Sequence, residues 1–474
     1  MGFRITALCL ALATAAAAAL PAGAAQPARK PNVIIILADD LGTGDVGAYG
    51  GQVARTPNID ALAAGGVRLT QGHVTAPICS PSRVALLSGR HNARYGFEHN
   101  PVGVRTEHLP VTEPTIAHRM KALGYITGLV GKWHLGWRPE LRPDRRGFDS
   151  YYGMASGSRY YPGDAPGVER MAFPQLEAES AAAFGEIPRD ITMFRNGRPE
   201  PVTSSLTDKF TDEAIGFITA HKDRPFFLYL AYNAPHTPLE ADADRLARFP
   251  ADLRRDQRIL AAMTAALDDG VGRISETLRT QGLDRDTLVI FLSDNGCPRY
   301  LRGACFDGGL NGGKRHLLQG GVRVPFIISW PGVLAPGSYD GVASSLDIAP
   351  TALAAAGAEA TPRLDGVDLV PFLTGRRPAA AHPDLYWRAT PSRAVRSGDW
   401  KLIQAETPQG ARQTFLFNLR TDPGETRNLA RAQPAIAARL ANKLAAWEQG
   451  LPAPAFEGRR ETVTIAGQSV VQTF

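Results

Sequence analysis

The sequence predicts an α/β fold: a large, mostly parallel sheet sandwiched by helices, with a smaller C-terminal α+β subdomain containing a short antiparallel sheet. Three observations predict it. Short, continuous, β-branched runs recur along the first three-quarters of the chain. They read as strands buried on both faces. Segments of helical period lie between them, which is the pattern of βα units. After about Gly375 the texture shifts to short alternating stretches and one terminal helix.

The elements follow in order. Residues 1–25 read as a cleaved secretory signal: Arg4 supplies the positive charge, Ile5 to Leu20 the apolar run, and Ala22-Gly23-Ala24-Ala25 the small residues. Residues 26–375 form the predicted α/β domain. Its strands are Asn32 to Leu37, Ile126 to Val130, Phe226 to Tyr232, Thr287 to Leu292 and Val324 to Trp330. Its helices open at Thr56-Pro57 and run over Glu113 to Leu123, Leu206 to His221 and Gln257 to Thr280. Gly124 is a C-terminal stop. Residues 376–474 form the subdomain and tail, with strands over Pro383 to Ala389, Arg393 to Gln404 and Gln413 to Leu419, then a helix over Pro434 to Gln449.

Composition excludes several classes. The 474 residues are 44% hydrophobic and 21% charged, which is neither disordered nor fibrous. The net charge of +6 is not gathered into basic stripes, so nucleic-acid binding is not expected. Removing residues 1–25 takes away Cys9 and Arg4 and leaves three cysteines and a net charge of +5. The mature protein is expected in the periplasm or secreted, with no stable membrane insertion. An odd cysteine count is unusual in an oxidising compartment.

The polar residues that follow the apolar runs carry the chemistry. Asp39-Asp40 follow the first strand, Lys132 and His134 the second, His236 the third, and Asp294-Asn295 the fourth. Parallel sheets place ligand sites outside the carboxyl ends of their strands. Asp39, Asp40, Asp294 and Asn295 offer only oxygen donors, which suit Ca²⁺ or Mg²⁺. Lysine and arginine could instead offset the carboxylates. Gly42-Thr43-Gly44-Asp45-Val46-Gly47 matches G-x-G-x-x-G, but no helical pattern follows it and two aspartates precede it. Nucleotide binding is therefore not expected.

Cys79-Ser80-Pro81-Ser82-Arg83, continuing to Leu87-Ser88-Gly89-Arg90, places a cysteine at a predicted helix N-terminus, where a thiol pKa is lowered. A reactive thiolate and a structural buried cysteine both remain open on these residues. Cys297 and Cys305 follow the Asp294-Asn295 pair closely enough for a local disulfide; free thiols or a soft-metal site are the alternatives.

The C-x-P-x-R segment resembles the signature of the type I, formylglycine-dependent sulfatases, arylsulfatase-like members of the alkaline-phosphatase superfamily. Gly131-Lys132-Trp133-His134, Pro235-His236, Asp294-Asn295-Gly296 and Gly313-Lys314-Arg315 resemble that family's further motifs in order. The resemblance implies that Cys79 is oxidised to formylglycine (3-oxoalanine) by a formylglycine-generating enzyme. It implies a Ca²⁺ site, with Mg²⁺ as the alternative, made by Asp39, Asp40, Asp294 and Asn295 together with residue 79. Arg83 would steady the aldehyde hydrate and His134 would take its proton. Lys132 and Lys314 would neutralise sulfate, and Lys314 with His236 would assist the leaving oxygen. The implied reaction is removal of sulfate from an alcohol, sugar or aryl ester. Phosphonate monoester or phosphodiester hydrolysis is the alternative, and a non-catalytic glycan-binding protein a third reading. The implied substrate is a sulfated small molecule or glycan. Ser156 and Ser158 are weaker candidates for the substrate side. Tyr151, Tyr152, Tyr160 and Tyr161 are expected either to stack on a sugar or to pack in the core.

Overall fold

The computed structural model describes residues 1–2, 30–101, 109–155, 160–162, 165–171, 173, 192–301, 303–359 and 363–473. The predicted leader from residue 3 on, Ser156 and Ser158 lie outside these. The strands of the first part are β1 (Asn32–Ala38), β2 (Val67–His73), β3 (Ile126–Lys132), β4 (Ser150–Met154), β5 (Val168–Met171), β6 (Thr192–Arg195), β7 (Arg198–Pro201), β8 (Phe226–Ala231), β9 (Leu239–Asp242), β10 (Thr287–Ser293), β11 (Phe326–Ser329) and β12 (Gly337–Ser344). Those of the subdomain are β13 (Asp384–Ala389), β14 (Ser392–Ser397), β15 (Trp400–Glu406), β16 (Arg412–Asn418), β17 (Arg460–Ile465) and β18 (Gln468–Thr473).

Ten strands form the main sheet in the order β12-β2-β11-β10-β1-β8-β3-β4-β6-β7. Its centre, β10-β1-β8-β3-β4, is all parallel. In β1, Ile34 and Ile36 enter one core while Val33, Ile35 and Leu37 enter another on the opposite face. The continuous apolar run is thus explained by burial on both sides. Helices Leu206–His221 and Arg255–Thr280 cover the first face. Helices Cys79–Ser88, Ile116–Ala122 and Ile348–Ala355 cover the second.

Several boundaries differ from the sequence reading. The helix expected over Glu113 to Leu123 begins at Ile116, because Thr115 and His118 form a reciprocal cap there. The single strand expected over Arg393 to Gln404 is two, β14 and β15. They fold back at Gly398, whose φ of 58° suits glycine. Strands β2, β4, β5, β6, β7, β9, β12, β17 and β18 were not expected.

The subdomain sheet packs one face toward Val74, Leu317 and Leu318 of the main domain and the other against the Pro434–Glu448 helix. Among the polar ties at this junction, one runs through a buried ion pair of the subdomain and a second through His382. Lys401 Nζ meets Glu425 Oε1 at 2.8 Å with both side chains fully buried. Glu425 Oε2 accepts the backbone N–H of Gln319, at the head of a short helix just after Lys314. Burial pushes the Glu425 carboxyl up and the Lys401 ammonium down, each opposed by the other's charge. Glu425→Ala is therefore expected to cost about 3–5 kcal/mol in urea unfolding, because it strands a buried ammonium. The double variant Lys401→Met/Glu425→Leu should recover most of that loss. Equal losses in both variants would refute the charge argument.

His382 provides the second tie, its Nε2 lying 2.7 Å from Asp347 Oδ1. Burial lowers the His382 pKa, but the Asp347 contact outweighs burial and raises it above the ordinary value. A raised folded pKa stabilises below the unfolded value and ceases to do so as pH rises through the folded value. His382→Gln should cost about 1 kcal/mol near pH 6 and little near pH 9. Thermal midpoints of both proteins across that range are the check; a pH-independent difference counts against it.

Candidate active site

The loops after β1, β3, β8 and β10 converge on one cluster at the carboxyl edge of the sheet. Register explains part of this. Asp39 N donates to Ala234 O at 3.1 Å and Asp294 N donates to Ala38 O at 3.0 Å, so the strand exits are laced together. Asp40 N donates to Asp294 Oδ1 at 3.2 Å. Gly131 makes the close approach of β3 to β8 feasible: a Cβ there would lie 1.9 Å from Ala231 O, and its φ is 107°.

Cys79 begins the Cys79–Ser88 helix and is fully buried among the aspartates. Its Sγ lies 3.4 Å from Asp39 Oδ1 and 3.9 Å from Asp40 Oδ1. Asp39, Asp40, Cys79 and His236 place ligand atoms within 4.8 Å of one another. The helix N-terminus does not lower this thiol's pKa as expected. Burial first, then Asp294 and Asp39, push it well above the ordinary value. Burial and two neighbouring carboxylates thus both disfavour a resting thiolate.

Three cations face three carboxylates. Arg83, one turn along the helix, donates from Nε to Asp294 Oδ2 at 2.9 Å and brings Nη2 within 2.8 Å of the same oxygen. Its Nη1 donates to Lys132 O at 3.0 Å, and Nη2 lies 3.4 Å from Asp39 Oδ2. Lys132 Nζ donates to Asp39 Oδ2 at 2.5 Å. Lys314 Nζ donates to Asp40 Oδ2 at 2.7 Å and lies 3.0 Å from His236 Nε2. Burial raises the Asp39 carboxyl, yet Lys132 foremost, with His236, Arg83 and Lys314, brings it well below the ordinary range. Burial, then the charge of Asp39, raises Asp294. The two share an uneven load, as close carboxylates do.

Both histidines are poised as bases. Burial, then Lys314, lowers His236 to about 4. Its Nδ1 lies 2.5 Å from Thr237 O, so the neutral ring donates there and accepts from Lys314 at Nε2. Burial, then Lys132 and Arg83, holds His134 well below its usual pKa. Its Nδ1 is buried without a hydrogen-bond partner. Asn295 Nδ2 donates to Asp40 Oδ1 at 2.7 Å, while Asn295 Oδ1 is buried and unpartnered. An orphaned amide oxygen among three carboxylates fits a hard divalent cation, whose ligands are oxygens. The site without it is balanced at three charges of each sign; the ion would make it positive and complementary to an anion.

The structure thus brings together Asp39, Asp40, Cys79, Arg83, Lys132, His134, His236, Asp294, Asn295 and Lys314. Cys297 and Cys305 form a disulfide, with Cα atoms 6.1 Å apart, and Cys79 is free among the described residues. The glycine-rich Gly42–Gly47 segment makes two short 3₁₀ turns, and Gly44 packs against Gly308, where a Cβ would clash at 2.4 Å. It opens no long helix, as expected. Tyr151, Tyr152, Tyr160 and Tyr161 are buried, so the packing alternative holds for all four. Tyr160 has a role the sequence did not signal. Its hydroxyl reaches the carbonyls of Asn233 and His236 and pins the loop that carries His236. Ser80 likewise fixes the His134 backbone through its carbonyl at 2.6 Å.

Comparison with known proteins places the chain in a family. The family model described as Sulfatase matches residues 31–358, and one described as N-sulphoglucosamine sulphohydrolase, C-terminal, matches residues 311–449. Arylsulfatase A of Bos taurus is 36% identical, across 89% of this chain and 86% of its own length. N-acetylgalactosamine-6-sulfatase of Rattus norvegicus is 34% identical, across 81% and 72%. The crystal structure of Ps i-CgsB superposes with a TM-score of 0.80 at 33% identity, covering 90% of this chain and 95% of that one. The chain belongs to the sulfatase family, hydrolases of sulfuric ester bonds that use a metal ion and a formylglycine.

Proposed function

We propose that the protein removes sulfate from a sulfated glycan outside the cytoplasm, using a formylglycine formed from Cys79. We infer further that Asp39, Asp40, Asp294 and Asn295 hold Ca²⁺, with Mg²⁺ as the alternative. One observation carries the reading. A buried cysteine touches two aspartates inside a ring of three cations, beside an orphaned asparagine oxygen. A hydrated aldehyde at position 79 supplies an oxygen nucleophile toward sulfur and a second hydroxyl whose deprotonation releases sulfate. A bound divalent cation supplies Lewis-acid polarisation. Arg83 holds the position-79 oxygen and the carboxylates in register. Neutral His134 accepts the proton of the second hydroxyl. Lys132 and Lys314 oppose the sulfate charge, and the Lys314–His236 pair serves the leaving oxygen.

The glycan assignment draws support from Ps i-CgsB, which was crystallised with a neocarrahexaose and is 33% identical. Export is supported by the Cys297–Cys305 disulfide, which suits an oxidising compartment. Peptide mass spectrometry of protein from its native host tests the central claim. Conversion of the thiol to an aldehyde lowers the mass by about 18 Da; an unmodified Cys79 would sink the reading. Parallel assays on an aryl sulfate, a phosphodiester and a phosphonate ester should favour the sulfate. Adding Ca²⁺ to chelator-treated protein should raise stability by about 2.7 kcal/mol at 100 times Kd, and Asp40→Asn should remove most of the gain. An unchanged unfolding midpoint rejects the ion site.

A further inference from the structure

We propose that the cavity between the main domain and the subdomain binds one neutral pyranose unit, at a site separate from the catalytic cluster. The cavity holds about 230 Å³. That is below the roughly 300–1,000 Å³ of sites for drug-sized ligands and suits a single ring. The main domain contributes Thr75, His91, Arg94 and Asp365; the subdomain contributes His382, Asp384, Tyr386 and Trp447.

Three independent features define the occupant. The first is an aromatic wall. Tyr386 and Trp447 stack with centroids 5.0 Å apart and planes inclined by 7°. His91 sets its ring edgewise on Trp447 at 5.0 Å. Its Nδ1 accepts from Ala93 N, so Nε2 donates to Tyr386 O at 3.0 Å, which locks the wall to the main domain. With these rings packed on one another, the surface they leave along the cavity is apolar and suits the C–H groups of a sugar, as it suits other apolar surface. The second is Thr75. It is 3% exposed, and its Oγ1 has no hydrogen-bond partner. A buried hydroxyl left unpaired is costly, and a sugar hydroxyl can both donate to it and accept from it. The third is charge balance. Arg94 grips Asp365 twice, at 2.6 and 2.7 Å. His382 holds Asp347, and Asp384 receives Lys443 at 2.7 Å. No lining charge is left in surplus, so a ligand without net charge is favoured. The spare lone pairs of the paired carboxylates remain available to hydroxyl donors.

Position gives the site a use. Thr75 follows β2, which runs parallel to the catalytic strands, so cavity and cluster share one edge of the sheet. The ten-residue Cys79–Ser88 helix leads from the cluster toward His91, a span of about 15 Å. A glycan could seat an unsulfated unit in the cavity while a sulfated unit occupies the catalytic cluster. A free saccharide is the other source of the same chemistry. Only the oligosaccharide arm of the test rests on the glycan reading above; the binding arm needs no turnover.

The test is tryptophan fluorescence of the whole protein, titrated with the methyl glycosides of galactose, glucose and mannose. At least one should give a saturable change. Trp447→Ala and Thr75→Val should each weaken it about tenfold. Turnover of a small aryl sulfate should stay at the wild-type value in both. Thr75→Val keeps the side-chain shape, so it guards against loss through misfolding. A raised KM for a sulfated oligosaccharide in both variants assigns the site to a remote substrate unit; an unchanged KM assigns it to a free saccharide. No saturable change with any glycoside overturns the proposal. So does an affinity indifferent to both substitutions, or competition by inorganic sulfate, which would put the sugar at the catalytic cluster.

Discussion

Cys79→Ser is expected to lower turnover of an aryl sulfate by at least about 10⁴-fold, the scale of losing a nucleophile. Stability should change by no more than about 1 kcal/mol, since one buried chalcogen replaces another of similar shape. The reason is chemical. A serine hydroxyl could attack sulfur, but its sulfate ester has no second hydroxyl to drive sulfate out. A single incubation with substrate should therefore leave a stable sulfate adduct on residue 79, visible by peptide mass spectrometry. Multiple turnovers by this variant would refute the role given to the aldehyde. The raised thiol pKa points the same way: burial, then Asp294 and Asp39, disfavour the thiolate of an unmodified Cys79.

Arg83→Ala is expected to have the second-largest effect, and on two measures together. Its guanidinium is fully buried, donates once to Asp294 and once to Lys132 O, and holds Nη2 within ion-pair distance of both Asp294 and Asp39. Removing one partner of a buried pair leaves uncompensated charge and costs about 3–5 kcal/mol. The carboxylates would repel and drift from register, so turnover should fall by about 10²–10³-fold. Arg83→Lys should not rescue, because a point charge cannot span the planar fork. Unfolding in urea and aryl sulfate kinetics on both variants are the measurements. Near-wild-type stability with lysine would show that charge alone, not geometry, is required.

The core strands were legible because burial on both faces writes itself as a continuous apolar run. Asn32 to Leu37 and Thr287 to Leu292 lie adjacent and parallel in the sheet. Strand β2 was not legible, since Val67-Arg68-Leu69-Thr70-Gln71-Gly72-His73 carries polar residues and lies toward the end of the sheet. The β17–β18 hairpin was missed for a similar reason: its outward residues are charged or polar. Gly398 hid a chain reversal inside what reads as one strand.

For the site, the sequence by itself determined the inventory: the oxygen donors, Lys132, the two histidines, the cysteine and Arg83 follow a strand or open a helix, and Lys314 came from the family resemblance alone. That much follows from local pattern, because strand exits in a parallel sheet share one edge. Tertiary structure alone decided the electrostatics. The helix N-terminus argued for a lowered thiol pKa. Packing set Cys79 against two aspartates away from water, and desolvation with like charge outweighs a helix dipole that fades within a turn. Folding likewise decided that Tyr160 braces the His236 loop, that the Lys401–Glu425 pair reaches the main domain through the Gln319 N–H, and that Thr75 lines a cavity walled by Tyr386 and Trp447. Those contacts join residues far apart in the chain, and their energies depend on burial, which no local pattern encodes.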